Sequence, residues 1–118
     1  MADSITPLFD IGANLLDSQL SKNFNEVITR SKENNIRKII ITSSHIDDTY
    51  QAKELIDREP DILYTTVGFH PHNAKDFKDS HMNKMLELCE HDYVKAIGEC
   101  GLDYKRNYSS KNDQINCF

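Results

Sequence analysis

Hydrophobic residues gather in short segments that recur along the chain at nearly equal intervals. Four such segments read LFDIGANL, KIIITSS, LYTTVGFH and VKAIGE, and they begin at Leu8, Lys38, Leu63 and Val94. Short runs rich in apolar and β-branched residues are typical of buried strands. The spacing of about 30 residues between successive starts is that of a strand–helix–strand unit. The pattern therefore predicts four parallel strands.

Between these segments the apolar positions change to the period of a helix. Asp47 and Asp48 lie near the expected start of the middle helix and Pro60 lies just beyond its end, which is the usual chemistry of a helix start and stop. A fourth helix is expected to begin near Ser109. Three stripes have the spacing that one buried helix face requires, namely Leu20, Phe24, Val27 and Ile28, then Ala52, Leu55 and Ile56, then Met82, Met85, Leu86 and Cys89. Alternating strands and helices predict an α/β fold with a parallel sheet.

Polar side chains with ligating or catalytic chemistry follow each predicted strand. Because the C-terminal ends of parallel strands lie on one edge of a sheet, we expect these side chains to converge there. They are Asp10 and Asn14 on the first strand, Ser43, Ser44 and His45 after the second, His70 and His72 after the third, and Glu99 and Asp103 after the fourth. The sequence thus predicts one site built from four strand ends.

Composition and charge narrow the classes of function. The 118 residues carry 14 basic and 19 acidic side chains, a net charge of −5, so phosphate binding has to come from local groups or a metal. No apolar run approaches the length of a membrane span and the start has no secretory pattern, which predicts a cytoplasmic protein without a membrane partner. Cys89, Cys100 and Cys117 form no CxxC pair and are interpreted as reduced packing residues.

Two segments carry the clearest candidate chemistry. Gly68–His72 reads GFHPH and places two imidazoles on a turn stiffened by proline, which suits a metal ion or a phosphate oxygen. The alternative is a pair of ordinary surface histidines. Gly98–Asp103 reads GECGLD, in which Glu99 closes an apolar strand at a cost unless a cation or donor neutralises it. A salt bridge at the strand end is the alternative for Glu99. Asp10 is likewise a carboxylate on the first strand. Together, the GFHPH histidines, Glu99 and Asp10 indicate a metal hydrolase site.

These motifs also carry a family resemblance. The blocks FDIGANL, GFHPH and AIGECGLDY, the last followed by Arg106, Asn107 and Gln114, resemble the TatD family of metal-dependent deoxyribonucleases from Leu8 to Phe118. The resemblance implies a TIM-type (β/α)8 barrel of the amidohydrolase-like kind, with divalent ions, expected to be Mg²⁺, at its C-terminal face. It also implies hydrolysis of phosphodiester bonds, as a 3′ to 5′ exonuclease on single-stranded DNA and RNA.

The resemblance assigns roles to individual positions. Glu99 matches a metal ligand, and His70 matches a histidine near the substrate phosphate; we expect His72 and Asp103 to bind substrate beside it. Many members carry a His-x-His metal pair on the first strand, but the corresponding positions are Gly12 and Asn14. Asp10 and Asn14 are therefore expected only as neighbours of the site. Two later histidines and an aspartate that complete the family's metal site have no counterpart within the 118 residues, and no catalytic general base is assigned.

Length sets a further expectation. A barrel of this kind needs about 250 residues, and 118 supply about four strands. We therefore expect residues 1–118 to form a single partial barrel domain that is incomplete at its C-terminus, from a fragment, a truncated reading frame or a partial gene model. The full-length form is expected to be monomeric. The short chain is expected to self-associate and to have little activity alone.

The sequence is also compatible with two other functions. One is a non-enzymatic α/β module of response-regulator size in which Asp10 and neighbouring acids bind Mg²⁺, although this leaves GFHPH and GECGLD unexplained. The other keeps the barrel but hydrolyses a small phosphate ester or cyclic amide, since fold does not fix substrate. For nucleic acid, the candidate surface comprises Tyr104, Lys105, Arg106, Tyr108 and Lys111, which can equally be a solvated loop.

Overall fold

The structure, a computed structural model, describes residues 6–118 and contains a four-stranded parallel sheet with helices between the strands. The strands are β1 (Leu8–Ala13), β2 (Ile36–Ile41), β3 (Leu63–Val67) and β4 (Val94–Ile97). The helices are α1 (Ser18–Ser21), α2 (Phe24–Glu33), α3 (Ile46–Arg58), α4 (Asp79–Cys89) and α5 (Lys111–Cys117), with a 3-10 helix at Pro71–Asp76. The strands pair in sequence order, so the predicted fold class is confirmed.

The two inner strands form the centre of the core. Leu63, Thr65 and Val67 on β3 are completely buried, which explains why this segment is an almost continuous run of apolar and β-branched residues. On one face, Ile39, Ile41 and Leu63 pack with residues of α2 and α3 in the larger hydrophobic cluster, whose helical members are Phe24, Ile28, Ala52 and Ile56. A smaller cluster joins Val67 and Phe69 to Ile46 and Leu88. These clusters fix the sheet against its helices.

The first predicted helix is divided into two. Asp17 caps α1 by accepting a hydrogen bond from the Gln19 amide at 2.8 Å, and Asn23 leaves the helical conformation before α2 begins. Asparagine interrupts helices readily because its side chain competes for backbone hydrogen bonds. The predicted apolar stripe survives the break, since Leu20 and Phe24 contact the same hydrophobic cluster.

The predicted stripe on α4 is exposed except at Met85, which packs against the smaller hydrophobic cluster. Met82 and Leu86 are exposed, and together with Ile97, Cys117 and Phe118 they line an open apolar groove of about 300 Å³. Helical periodicity identifies a face that can be buried, but it does not supply the surface that covers it. The expected packing role of the cysteines is also wrong for two of them, because Cys89 and Cys100 are exposed; all three thiols are free.

Both outer strands expose large apolar side chains. Phe9 and Ile11 on β1 are 64% and 77% exposed, and Ile97 on β4 is 60% exposed. Within residues 6–118, β1 pairs only with β2 and β4 only with β3, so each outer strand has an unpaired edge. Such edges, when apolar, are templates for association with another strand.

No helix within residues 6–118 has the length and hydropathy needed to cross a membrane.

We expect the 118-residue chain alone to self-associate or to unfold without a cooperative transition, because Phe9, Ile11 and Ile97 leave apolar surface uncovered beside unpaired strand edges. Size-exclusion chromatography with light scattering, combined with thermal melting, measures both properties. A sharply eluting monomer with a cooperative melt would show that these edges are tolerated in water.

Candidate active site

Backbone hydrogen bonds hold the ends of three strands together. The Gly98 amide donates to the Val67 carbonyl oxygen at 2.9 Å, and the Glu99 amide donates to the Ser43 carbonyl oxygen at 2.8 Å. The His70 amide donates to the Ser44 carbonyl oxygen, also at 2.9 Å. The two motifs GFHPH and GECGLD are therefore fixed to adjacent residues that follow β2.

This close approach requires glycine at position 68. A Cβ atom there would collide with the carbonyl oxygen of Glu99 and would lie 2.7 Å from the carbonyl carbon of Gly98. Real Cβ atoms do not approach backbone so closely. Gly68 therefore lets the histidine loop and the Glu99 loop pass in contact.

Glu99 faces a polar cavity at the C-terminal edge of the sheet. The cavity has a volume of about 460 Å³. Its lining comes from the ends of β1, β2 and β4 and from the helices beside them, and includes Asn14, Asp17, Thr42, Ser44, Asp48, Gln51 and Glu99. The predicted convergence of strand ends thus brings Asn14 and Glu99 to one cavity.

The other acids near this edge are occupied by backbone or hydroxyl donors. Asp48 accepts from the amide and the hydroxyl of Ser44, both at 2.8 Å, and from the His45 amide at 3.2 Å, as part of the capping of α3. Asp10 accepts from the Gly12 amide at 3.0 Å on its own strand and does not line the cavity. Asp10 therefore gives little support to the signalling-module alternative.

Glu99 differs from these acids. Among residues 6–118 its carboxylate has no hydrogen-bond donor and no ion-pair partner, so the salt bridge considered as an alternative is absent there. Its carboxylate oxygens and the amide oxygen of Asn14 are of the kind that Mg²⁺ binds. The number of such ligands is too small to hold a metal ion, however, because no group of three His, Cys, Asp or Glu side chains within residues 6–118 could do so. Glu99 can supply one ligand of a larger set.

Ser43, Ser44 and His45 have structural roles after β2. Ser43 is buried and its hydroxyl lies 3.2 Å from the Thr65 hydroxyl, in a hydrogen-bonded group that Thr49 joins. Ser44 and His45 cap α3, with the His45 Nδ1 atom accepting from the Asp47 amide. Their polar character at a strand end therefore reflects helix capping and a buried hydroxyl group.

His72 and Asp103 form a side-chain hydrogen bond across the two motif loops. The Nε2 atom of His72 lies 2.8 Å from the Oδ2 atom of Asp103. The other carboxylate oxygen of Asp103 accepts from the amides of Lys105 and Arg106 at 3.0 and 3.4 Å. The hydrogen bond from His72 is the largest cause that lowers the pKa of Asp103 below its ordinary value of 3.8, followed by the bond from Lys105.

His70 caps the 3-10 helix that follows it. Its Nδ1 atom accepts a hydrogen bond from the His72 amide at 3.1 Å, and the two imidazole centroids are 4.2 Å apart. The Nε2 atom of His70 has no hydrogen-bond partner in the described part of the chain. This nitrogen is therefore available to a ligand.

Two buried polar residues that were not predicted as site residues hold this loop. Gln114 is 1% exposed; its Oε1 atom accepts from the Asp103 amide at 2.7 Å, and its Nε2 atom donates to the Asp103 carbonyl oxygen at 3.0 Å. Ser109 is 2% exposed, and its hydroxyl donates to the His72 carbonyl oxygen at 2.9 Å. The sequence signals for them are the expected start of the fourth helix near Ser109 and the place of Gln114 in the family resemblance.

The candidate nucleic-acid surface lies beside the histidines. The ring of Tyr108 makes an edge contact with His72 at 4.8 Å between centroids and is largely exposed. The Lys111 ammonium lies 5.1 Å from the centroid of Tyr104. Aromatic faces and cations are thus present next to the two motif loops.

Comparison with known proteins adds to this geometry. The family described as "TatD related DNase" matches residues 9–118. A "3'-5' ssDNA/RNA exonuclease TatD" of Pectobacterium carotovorum subsp. carotovorum is 38% identical over 111 residues, 94% of this chain and 43% of that protein. Proteins of the same name are 39% identical in Yersinia pseudotuberculosis and 37% identical in Erwinia billingiae, covering 43% and 42% of those proteins. The chain spans less than half the length of these relatives.

The lowered pKa of Asp103 predicts how its contact with His72 responds to acid. We expect the contact to stabilise the loop fully above pH 3.8 and to weaken only as the pH falls through the lower pKa of the folded state. Nuclear magnetic resonance titration of the Asp103 carboxyl carbon measures this midpoint. An ordinary midpoint near 3.8 would mean that His72 does not stabilise the carboxylate.

Proposed function

The chain belongs to the family of TatD-related DNases, and from this premise we propose that residues 6–118 form one side of the active site of a metal-dependent exonuclease. The proposed reaction is removal of nucleotides from the 3′ end of single-stranded DNA or RNA. The observation that carries the proposal is the Glu99 carboxylate on a polar cavity, beside His70; among residues 6–118 neither this carboxylate nor the Nε2 atom of His70 has a hydrogen-bond partner. The parallel four-stranded sheet is consistent with the first half of a (β/α)8 barrel.

Glu99 is the proposed metal ligand, with Mg²⁺ as the expected ion. A bound divalent ion supplies charge for a phosphoryl oxygen and lowers the pKa of a coordinated water. Asn14 lines the same cavity and can hydrogen-bond a water or a ligand there. One carboxylate is too few ligands to hold Mg²⁺. The proposal therefore requires further ligands from the rest of a longer protein.

The histidine loop is the proposed phosphate site. His70 can donate a hydrogen bond from Nε2 to a nonbridging phosphate oxygen, since its Nδ1 atom is already an acceptor for the His72 amide. His72 and Asp103 complete this part of the substrate site. Among residues 6–118, each histidine keeps one ring nitrogen without a hydrogen-bond partner, Nε2 in His70 and Nδ1 in His72.

Single-stranded substrate fits the surface beside this loop. Tyr104 and Tyr108 expose aromatic rings on which a base can stack, while Lys105 and Arg106 supply positive charge for the backbone. Such local cations are necessary for binding the phosphate backbone, because the net charge of the chain is −5. The proposal therefore places the 3′ end of the strand between the tyrosines and Glu99.

The proposal also covers location and assembly. We expect the protein in the cytoplasm, where its three free thiols remain reduced. We expect a monomer for the full-length form, in which further strands cover the apolar edges of β1 and β4.

The central prediction is chelator-sensitive nuclease activity in the full chain that the gene encodes, and little activity in residues 1–118 alone. The physical reason is that one carboxylate does not hold Mg²⁺ rigidly enough to position a water for attack. Oligonucleotides labelled at the 3′ or the 5′ end, incubated with Mg²⁺ and with or without chelator, reveal both activity and polarity. Turnover of a small phosphate ester without digestion of either oligonucleotide would contradict the nuclease proposal.

A substitution tests the role of Glu99 directly. In the full chain, Glu99→Gln should weaken Mg²⁺ binding about tenfold or more and remove most hydrolysis, because a neutral amide replaces a charged ligand. The free energy of unfolding should change by less than about 0.5 kcal/mol, since the Glu99 side chain has no hydrogen-bond or ion-pair partner among residues 6–118. Calorimetric metal titration and thermal melting measure these effects.

Glu87→Gln is the matched control, because it removes the same charge from an exposed position on α4. It should leave Mg²⁺ affinity and hydrolysis at the wild-type values. Equal metal affinity in the Glu99 and Glu87 variants would show that Glu99 is structural.

A further inference from the structure

We propose that the histidine loop holds both imidazoles with their protons on Nε2: Asp103 is a positioning residue that fixes His72 in this state, and the His72 amide fixes His70 as a hydrogen-bond donor. The identity of the acceptor, a phosphate oxygen, rests on the proposed function. The state of the two imidazoles rests only on contacts within the described chain.

The first step is the contact between Asp103 and His72. An ionised carboxylate accepts hydrogen bonds and donates none. One Asp103 oxygen already accepts from the amides of Lys105 and Arg106, and the other lies 2.8 Å from the Nε2 atom of His72. His72 must therefore carry a proton on Nε2.

The second step leads from His72 to His70 through the backbone. The His72 amide donates to the Nδ1 atom of His70 at 3.1 Å, and an amide cannot act as an acceptor in this contact. The Nδ1 atom of neutral His70 is therefore unprotonated, and its proton lies on Nε2. In this state the free nitrogen of His70 is a donor, and His70 cannot take a proton from water at Nε2.

The third step explains why the geometry persists. The His72 carbonyl oxygen accepts from the buried hydroxyl of Ser109 at 2.9 Å, so the backbone of His72 is held at both its amide and its carbonyl. Gln114 holds the amide and the carbonyl of Asp103 with one side chain. The ring contact between His72 and Asp103 thus joins two loops that are each fixed by buried polar groups.

The hydrogen bonds that join Asp103, His72 and His70 select one tautomer for each imidazole. A histidine that donates from Nε2 can stabilise negative charge on a phosphate oxygen as it develops in the transition state. A change that disturbs the hydrogen bond to Nδ1 would allow the other tautomer, which presents a lone pair to the phosphate. Such an arrangement is repulsive, so hydrolysis would slow while the fold remains intact.

Asp103→Asn tests this chain of contacts with almost no change of shape. The oxygen of the asparagine must face the amides of Lys105 and Arg106, because those groups only donate, and its NH₂ group then faces His72. His72 is forced to accept at Nε2 and to move its proton to Nδ1, the same kind of tautomer change that an aspartate-to-asparagine substitution causes in a serine-protease triad. Asp76→Asn, an exposed carboxylate in the 3-10 helix of the same loop, is the matched control.

The primary readout is the imidazole nitrogen spectrum of the full encoded chain, labelled with ¹⁵N, near neutral pH. We expect both His70 and His72 to carry their protons on Nε2 in the wild type and in Asp76→Asn. In Asp103→Asn we expect His72 to carry its proton on Nδ1, while His70 keeps its proton on Nε2 because its Nδ1 atom still accepts from the His72 amide. A wild-type His70 with its proton on Nδ1 would overturn the proposal without any variant.

Kinetics on a single-stranded oligonucleotide provide the second readout. We expect Asp103→Asn to lower kcat by about tenfold or more with KM within about twofold, because the Nδ1 atom of His72 then presents a proton instead of a lone pair in the proposed substrate site, a change that acts chiefly in the transition state. Asp76→Asn should match the wild type in both constants. Equal kcat in the two variants, or unchanged tautomers in Asp103→Asn, would reject a positioning role for Asp103. A wild-type chain with the expected tautomers but no nuclease activity would reject the proposed function alone.

Discussion

The close contact between the backbones that follow β3 and β4 is the constraint on which the candidate site depends. No side chain fits at position 68, because the backbones of Gly98 and Glu99 lie too close. The amides of Gly98 and Glu99 donate hydrogen bonds to residues at the ends of β3 and β2. Without this contact the GFHPH and GECGLD loops would be separate features of a sheet edge. With it, Glu99 and the histidine loop belong to one continuous surface whose spacing is set by backbone atoms, which move less than side chains.

Much of the fold could be predicted from the sequence because strands and helices have different periods. The run from Leu63 to Val67 is nearly all apolar or β-branched, and the structure buries it on both faces. The break before Phe24 was missed because Leu20 and Phe24 still contact one hydrophobic cluster on either side of it. The exposure of Met82 was missed for another reason. Periodicity describes the helix itself and says nothing about whether a neighbouring surface is present.

The site was predicted in its placement but not in its contacts. Parallel topology is sufficient to bring His70 and Glu99 to one edge, and the structure has them there. The contact between His72 and Asp103 joins residues 31 positions apart on two different loops, and no local pattern encodes it. The family resemblance includes Gln114, but its burial was not predicted, because a glutamine within a short polar helix gives no sign that it will be buried. Buried polar networks are properties of the assembled chain, so sequence periodicity does not reveal them.

The strictly sequential order of the strands has a consequence for synthesis on the ribosome. Within residues 6–118 each strand after β1 pairs with the one made just before it, so this part of the sheet can grow as the chain emerges. The histidine loop is complete once Asp76 has been made, yet the groups that hold it, Asp103 and Gln114, emerge later. A nascent chain therefore carries the histidines before it carries the geometry that orients them. The histidine loop therefore reaches its final geometry only after α5 has been made and has packed against it.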